Sequence, residues 1–193
     1  MNQIEDGTGQ GYRAKVNKNN RLESFSITES RLADISLREG KSFIITSDFV
    51  SLTTTGSFNG MLYIKNTDTS TNLFIDKIRI CGTQTAMNNM QSKFIKNPTT
   101  GTLISDASDA IVFASNLGSN EAFSGTVYSA SADGKTITDG DQFSQFTIHL
   151  PGHTIQDYEG SLIIPGGSSM GISVKPSAAT EACIEVQCWI EDK

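Results

Sequence analysis

The chain has 193 residues, of which 15 are Lys or Arg and 21 are Asp or Glu, so its formal net charge is -6 at pH 7. This length suits one domain, with or without an appendage, and is sufficient for a substantial core. Because the basic residues are few and scattered, the composition argues against a nucleic-acid partner and against a membrane surface, both of which bind clustered Lys and Arg.

Residues 1–6 have neither a basic stretch nor an apolar core, so the sequence predicts no secretory signal. No apolar run approaches the roughly 20 residues that span a bilayer. We therefore expect the protein to be made and folded in the cytoplasm of the cell that produces it.

Residues 1–35 are polar and predict an extended N-terminal arm that carries a small hairpin. Residues 12–16 and 21–25 alternate like short strands, and residues 17–20, Asn-Lys-Asn-Asn, favour a turn between them. An isolated hairpin of this kind is marginal in water because it cannot bury a core of its own. The arm is therefore expected to lie on a partner.

Residues 28–39 are compatible with a short helix, which Thr28 would cap and Gly40 would end. An extended strand is equally compatible, because polar residues at positions 34, 36 and 38 alternate with Ala33, Ile35 and Leu37. The sequence leaves both possibilities open.

From residue 41 onward, β-branched and aromatic residues recur in short runs that Gly, Ser, Thr and Asp separate. Residues 60–66 and 72–81 are expected to pair as one hairpin, and residues 161–176 as another around the turn at residues 165–168. Further strands are predicted at residues 42–46, 48–53, 93–96, 102–105, 110–114, 125–129, 142–150 and 182–190. This density of strands predicts an all-β fold, an antiparallel, jelly-roll-like β-sandwich at residues 36–193.

The strand at residues 182–190 has the clearest alternation in the chain. One face is apolar and is expected to be buried; it consists of Ile184, Val186, Cys188 and Ile190. Trp189 falls on the other face with Glu185 and Gln187. Two positions for this Trp remain open: beneath a loop, or exposed at a contact between subunits.

Three cysteines cannot all pair within one chain. Cys183 and Cys188 lie five residues apart on one predicted strand and so point to opposite faces, which prevents a bridge between them. We expect all three, including Cys81, to be free and mostly buried thiols. A metal site would need closer spacing or flanking histidines.

Two local patterns resemble catalytic or metal-binding motifs but lack the surroundings that these need. Ser169 lies in Gly-Ser-Ser-Met-Gly, the form of a hydrolase elbow, yet a β run follows it and no histidine lies beyond His153. His149 and His153 have the spacing of ligands on one helix, but Pro151 and Gly152 between them prevent a helix. Only a loop-borne metal site remains open, and solvated histidines are the expected state.

The glycine run at residues 7–11 lacks the preceding strand and the following helix of a dinucleotide-binding fingerprint. It therefore predicts a flexible linker, and no cofactor is expected. The acidic pairs Asp133-Gly134 and Asp139-Gly140 lack the further oxygen ligands of a calcium loop and predict turns. No catalytic residue and no metal ligand follows from the sequence.

Four segments follow one another along the chain: Asp-Gly-Thr-Gly-Gln-Gly-Tyr-Arg-Ala-Lys-Val-Asn-Lys-Asn-Asn-Arg-Leu at residues 6–22, Leu-Tyr-Ile-Lys-Asn at 62–66, Lys-Asn-Pro-Thr-Thr-Gly-Thr at 96–102, and Leu-Ile-Ile-Pro-Gly-Gly-Ser-Ser-Met-Gly at 162–171. In this order they resemble a group of structural proteins of tailed bacteriophages. The resemblance implies a virion component, either a capsid decoration or head-fibre-like subunit, or an accessory protein of the neck or tail. It also implies an N-terminal arm that attaches the subunit to the particle and an outward-facing β-sandwich, commonly as a trimer.

Residues and resemblance together predict a non-enzymatic virion protein that binds other capsid or neck and tail subunits through its arm and decorates or stabilises the particle. Strand addition, or a groove between subunits, is the expected mode of docking. The predicted contacts are Tyr12, Arg13, Val16, Arg21 and Leu22.

Two alternatives belong to other classes of function. A receptor- or glycan-binding module at a fibre tip would use the Ser/Thr/Asn/Gly-rich loops at residues 115–125 and 131–141. A hydrolase would depend on Ser169 or His149.

Overall fold

The computed structural model describes residues 15–16, 22–23, 30–53, 55–83, 88–105 and 108–193. The chain divides into two compact units, Met1–Ser30 and Arg31–Lys193. In the first unit, β1 (Lys15–Val16) and β2 (Leu22–Glu23) form an antiparallel pair with Val16 opposite Leu22. The small hairpin predicted within the arm is therefore confirmed.

The second unit begins with helix α1 (Arg31–Arg38), so the possibility of a helix within residues 28–39 is the one that the structure adopts. Ile35 is its buried residue. Gly40 ends the helix, because its N–H donates to the Ile35 carbonyl at 3.0 Å and its φ of 68° lies in the left-handed region.

Strands make up most of the remaining chain. They are β3 (Ser42–Thr46), β4 (Val50–Leu52), β5 (Asn59–Asn66), β6 (Thr71–Gly82) and β7 (Asn88–Lys96), then the short helix α2 (Thr102–Ser105), then β8 (Ser108–Asp109), β9 (Ile111–Ala114), β10 (Gly125–Ser129), β11 (Asp141–Leu150), β12 (Gly152–Pro165), β13 (Ser169–Pro176) and β14 (Thr180–Asp192).

Helix α2 occupies residues 102–105, for which the predicted strand was wrong. The Gly101 carbonyl accepts hydrogen bonds from Ile104 N–H at 3.0 Å and from Ser105 N–H at 3.1 Å, which closes a single helical turn. Four residues are too few for the periodicity to distinguish a helix from a strand. Within the described ranges, no helix combines the length and the apolar composition needed to cross a membrane.

The strands of the second unit form two antiparallel sheets in the jelly-roll order. The first sheet runs β12-β6-β14-β3-β9, with β4 paired to β14, and the second sheet runs β11-β7-β13-β5-β10-β8. The central order of the first, β3-β14-β6-β12, and of the second, β5-β13-β7-β11, is the arrangement of a jelly roll. Strands β8, β9 and β10 extend the sheets on one side. The expected jelly-roll-like sandwich is confirmed.

Both predicted hairpins of the sandwich were wrong, because the strands of each lie in different sheets. β5 pairs with β10 and β13, whereas β6 pairs with β12 and β14. β13 likewise pairs with β5 and β7, not with β12. The connections at residues 66–71 and 165–169 are therefore arches that cross from one sheet to the other. Alternating apolar residues identify a strand and its buried face, but not the strand with which it pairs.

Inward-facing side chains of both sheets fill the space between them. On β14 the predicted apolar face is buried, and its members are Ile184, Val186, Cys188 and Ile190. Burial of one such aliphatic side chain contributes about 1.5–3 kcal/mol relative to exposure. The second unit thus has a core of its own.

Trp189 is buried, so it is not exposed at a subunit contact, but the segment against it is a bulge of strand β12 and not the loop that the sequence suggested. Its indole stacks on Phe74 with ring centroids 5.4 Å apart. Gly160 lies beside the six-membered ring of the indole, at a point where β12 bulges between Asp157 and Leu162. A Cβ at Gly160 would come within 2.3 Å of Trp189 Cη2, so only glycine fits there without movement.

The expectation of three free thiols was wrong. Cys81 of β6 and Cys183 of β14 are direct register partners and form a disulfide with their Cα atoms 5.3 Å apart. Cys188 is free and buried, and its burial raises the pKa of its thiol. The error arose because the sequence shows that Cys183 and Cys188 cannot pair, but does not show which residue of a neighbouring strand lies opposite Cys183.

Candidate functional site

The structure describes two of the five predicted arm contacts. Val16 and Leu22 are register partners across the β1–β2 hairpin. Tyr12, Arg13 and Arg21 lie outside the described residues. The docking role of these five residues stays a prediction.

At the start of the second unit, Arg31 is fixed to the end of β14 by a bidentate ion pair. Arg31 Nε donates to Glu191 Oε1 and Nη2 donates to Oε2, both at 2.9 Å. Trp189 Nε1 donates to the same Oε1 at 2.6 Å. The Arg31 hydrogen bond is the largest cause of a lowered pKa of the Glu191 carboxyl, and the indole contributes. The first residue of α1 is thus fixed to the end of β14 within the second unit.

Three of the four segments that carry the resemblance meet at one end of the sandwich. Met170 of β13 lies between Ile64 of β5 and Lys96 of β7. Ser169 N–H donates to Asn97 Oδ1 at 2.8 Å, and Asn97 N–H donates to the Ser169 carbonyl at 2.9 Å. We call this region the arch end; it consists of residues 64–71, 96–98 and 162–170.

Asn66 is the polar centre of the arch end. Its buried Nδ2 donates to the carbonyls of Thr71 at 3.1 Å and Ile164 at 3.2 Å, and its Oδ1 accepts from Asp68 N–H at 3.3 Å. The Gly167 N–H donates to the Asn66 carbonyl at 2.8 Å. A buried amide whose donors and acceptor are all used has a structural role. The segments that carry the resemblance at this end therefore have a structural role, because they hold neighbouring strands of the sandwich together.

A groove of about 360 Å³ opens beside the arch end, between edge strands β11 and β12 of opposite sheets. Phe143 of β11 and Ile163 of β12 line it and are 43% and 44% exposed. Both strands bulge near the groove, β11 at Phe143 and β12 at residues 158–161. A bulge turns a side chain away from the regular alternation of its strand, which is consistent with the exposure of Phe143 at the edge of its sheet. Because Phe143 and Ile163 are apolar, the groove can accept an apolar side chain, and Lys96 also lines it.

Sequence reasoning missed Phe143 and Ile163. For Phe143 a signal was present, because it lies at an odd spacing from Phe146, Ile148 and Leu150 and is therefore out of phase with the buried face of its strand. Such a phase change indicates a bulge. For Ile163, strand alternation places Leu162 and Ile164 on one face and Ile163 on the other, so its outward direction follows from the sequence but the groove beside it does not.

The two histidines do not share a site. His149 lies on β11 in the second sheet, whereas His153 lies on β12 in the first sheet beside Arg79 and Glu185. Each is exposed. In the part of the chain that the structure describes, no group of three or more His, Cys, Asp or Glu side chains is placed to hold a metal ion.

Ser169 does not have the surroundings of a hydrolase nucleophile. It is buried and begins strand β13, where an elbow would require a helix. The acidic pairs form turns, as predicted. Asp133 Oδ2 accepts from Thr53 N–H at 2.9 Å, and Asp139, with a φ of 61°, accepts through Oδ2 from Thr100 Oγ1 at 2.5 Å.

The two loops of the glycan hypothesis are held by different elements. In the first, Asn116 Nδ2 donates to the Ser36 carbonyl at 3.1 Å and Ser119 Oγ to the Gly40 carbonyl at 3.2 Å, so this loop lies against the end of α1. In the second, Asp133 is bonded to Thr53, which follows β4. The first loop is therefore bonded to the end of α1, and the second is bonded to the residue that follows β4.

Comparison of the chain with protein-family models and with curated proteins gave no match.

Proposed function

We propose that this protein is a non-enzymatic structural subunit of a tailed-bacteriophage particle. It binds capsid or neck and tail subunits through its N-terminal arm and decorates or stabilises the virion. The observation that carries the proposal is the contrast between the two units. The jelly roll buries its own core, whereas the described part of the arm is a hairpin with two residues in each strand. A hairpin of that size is stabilised by an added partner surface.

The distribution of the four phage-like segments supports the same role. Three of them build the arch end, in which Asn66 and Asn97 bond backbone groups of other strands. The fourth, residues 6–22, lies within the arm and contains all five predicted contacts. The resemblance thus includes both the segments that hold the sandwich together and the segment that is proposed to attach it, as we expect for a structural subunit of a particle.

The disulfide supports the proposal that the protein is exposed to an oxidising environment after it has folded. Cys81 and Cys183 lie on the outward face of the first sheet and are partly exposed. Disulfides are rare in the cytosol, where thiols are kept reduced. We propose that the subunit folds in the host cytoplasm with both thiols reduced, and that the bridge closes after the particle leaves the cell, where dissolved oxygen accepts the two electrons and two protons that the thiols release.

The proposal is tested by removing residues 1–25 and measuring how many copies join particles assembled in the host. The truncated chain is expected to remain folded and to be absent from particles. A matched pair of variants separates the arm from general surface effects: Val16→Asp with Leu22→Asp is expected to abolish incorporation, and Ile155→Asp, on the exposed face of β12, to leave it unchanged. Normal incorporation of the truncated chain would overturn the proposal.

A further inference from the structure

The described edges of the two sheets differ in how they are protected against pairing with another chain. β11 and β12 each contain a bulge, β12 also carries Asp157 and Glu159, β8 has two residues, and β4, which pairs only with β14, has three. Bulges, charges and short length are the means by which sheet edges avoid pairing. β9 has neither bulge nor charge: it pairs with β3 without a register shift, and residues 110–120 contain no charged residue and no proline.

The outer face of β9 is apolar as well. Phe113 is 55% exposed and Ile111 is 38% exposed. Ile44 of β3 lies opposite Phe113 on the same face and is partly exposed. An uncharged edge with exposed aromatic and β-branched side chains is the kind of edge that recruits another strand.

Backbone hydrogen bonds show which groups of β9 are directed outward. Ser115 N–H donates to the Ser42 carbonyl at 2.8 Å, so residues 111, 113 and 115 are the ones bonded to β3. By the alternation of an antiparallel ladder, Val112 and Ala114 direct their N–H and C=O groups away from β3. Ala110 N–H is already used, since it donates to the Val127 carbonyl at 3.2 Å.

We propose that β9 is a self-association surface, on which a second copy of this chain pairs its own β9 in antiparallel orientation across a two-fold axis. Val112 of each copy then lies opposite Ala114 of the other, and each such pair exchanges both of its backbone hydrogen bonds. Phe113 lies on the axis, opposite Phe113 of the second copy, with Ile44 beside it. Residues 110–120 contain no charged side chain, so pairing two copies through β9 does not bring like charges of this segment together.

Neighbouring registers fit less well, because they turn the wrong face outward or need residues that are already bonded or lie beyond the strand. Shifting the pairing by one residue would place the outer face of one copy against the inner face of the other. Placing Val112 opposite itself would require Ala110, whose N–H is bonded to Val127. Placing Ala114 opposite itself would require pairing at Asn116, which lies beyond the end of β9 in the turn that the Ser119 N–H to Asn116 carbonyl bond closes at 2.9 Å.

This association goes beyond the proposed function and does not involve the arm. It also differs from the trimer that the resemblance implies, because antiparallel pairing of identical edges produces a two-fold dimer and a sheet that continues through both copies. The mass of the free protein therefore distinguishes the two arrangements.

Cysteine cross-linking of the full chain tests the register. Opposed residues of a non-hydrogen-bonded pair have Cα atoms about 4.5 Å apart, within the range of a disulfide. Under oxidising conditions, Phe113→Cys is expected to form a covalent dimer, and Ile155→Cys, 51% exposed at the opposite edge of the same sheet, is expected to stay monomeric on a non-reducing gel. Absence of the Phe113→Cys dimer, or an equal dimer from Ile155→Cys, would overturn the proposal.

Solution mass provides the second measurement and does not depend on oxidation. The chain of 20.8 kDa is expected to scatter light as a dimer, Phe113→Lys as a monomer, and Ile155→Lys as a dimer. Both substitutions are at exposed side chains, so the fold and its circular dichroism spectrum are expected to be unchanged. A monomeric or trimeric unmodified chain, or a Phe113→Lys variant that remains dimeric, would contradict the pairing through β9.

Discussion

Asn66 and Ile164 are 98 residues apart in sequence, yet the Asn66 Nδ2 donates a hydrogen bond to the Ile164 carbonyl at 3.2 Å. This bond joins the end of β5 in the second sheet to the end of β12 in the first sheet. It holds together the two arches that cross the sandwich, and it does so in a buried position where an unpaired carbonyl would be costly. One side chain therefore stabilises the crossing of the chain between sheets at two places.

Replacement of Asn66 by Ala is expected to be among the most destabilising polar substitutions in the sandwich. It removes the donors to Thr71 and Ile164 and leaves both carbonyls without that partner. We expect a loss of roughly 2–4 kcal/mol in the free energy of unfolding, measured by urea denaturation. Asn89→Ala, at an exposed side chain, is the control and should change stability by less than about 0.5 kcal/mol. Similar losses for both variants would refute the role given to Asn66.

Gly160 and Gly167 form a matched pair, because both have positive φ but only Gly160 is crowded. A Cβ at Gly160 would meet the Trp189 indole, whereas a Cβ at Gly167 would meet nothing within 4 Å. Gly167→Ala should therefore cost only the backbone term of about 1–2 kcal/mol, and Gly160→Ala more. Because Trp189 is the single Trp, its fluorescence reports the difference: emission should shift to longer wavelength in Gly160→Ala alone. Identical spectra for the two variants would contradict this packing.

Thiol counting on protein taken from released particles tests the disulfide directly. Under non-reducing conditions the folded protein should show no reactive thiol, because Cys188 is buried and its pKa is raised, and the unfolded protein should show one. After reduction the unfolded protein should show three. Reduction is also expected to lower the free energy of unfolding by about 2–4 kcal/mol, since the bridge closes a long loop. Three thiols in unreduced, unfolded protein would mean that the bridge does not form.

The Arg31–Glu191 pair predicts a pH dependence of the contact between α1 and β14. The folded-state pKa of Glu191 is lowered, chiefly by the Arg31 hydrogen bond. Its contribution to stability is therefore fully present above the unfolded pKa of about 4.3 and is lost as pH falls through the folded pKa. Glu191→Gln should lower the melting temperature modestly at pH 7, and the difference from the unmodified protein should vanish in acid. Glu121→Gln is the exposed control; a difference that persists in acid would show that the ion pair is not its cause.

The parts of the fold that depend on local pattern could be predicted, and the parts that depend on pairing could not. Alternation identified β14 and its buried face correctly, because each side chain's direction follows from its position in the strand. The same alternation could not show that β5 and β6 lie in different sheets, or that Cys81 lies opposite Cys183, because register is set between distant strands. For α2, the hydrogen bonds that the Gly101 carbonyl accepts close a single helical turn, and a segment this short has no periodicity that would reveal a helix.

The candidate site divides in the same way. Residues 62–66, 96–102 and 162–171 were recognised as segments, but their meeting at the arch end depends on Asn66 and Asn97, whose partners are distant in sequence. The groove at Phe143 depends on a bulge that only a phase change in the strand indicated. The edge strand β9 was predicted as a strand, and its unprotected edge became visible only through the sheet order.

Hydrogen–deuterium exchange of the free protein and of the protein on assembled particles tests the attachment through the arm most directly. Exchange in residues 12–25 is expected to be fast in the free protein and strongly slowed on the particle, while β5, β6 and β14 of the sandwich exchange slowly in both states. Arm amides that exchange equally in the free and the assembled protein would contradict the account, because the hairpin would then gain nothing from the neighbouring subunits.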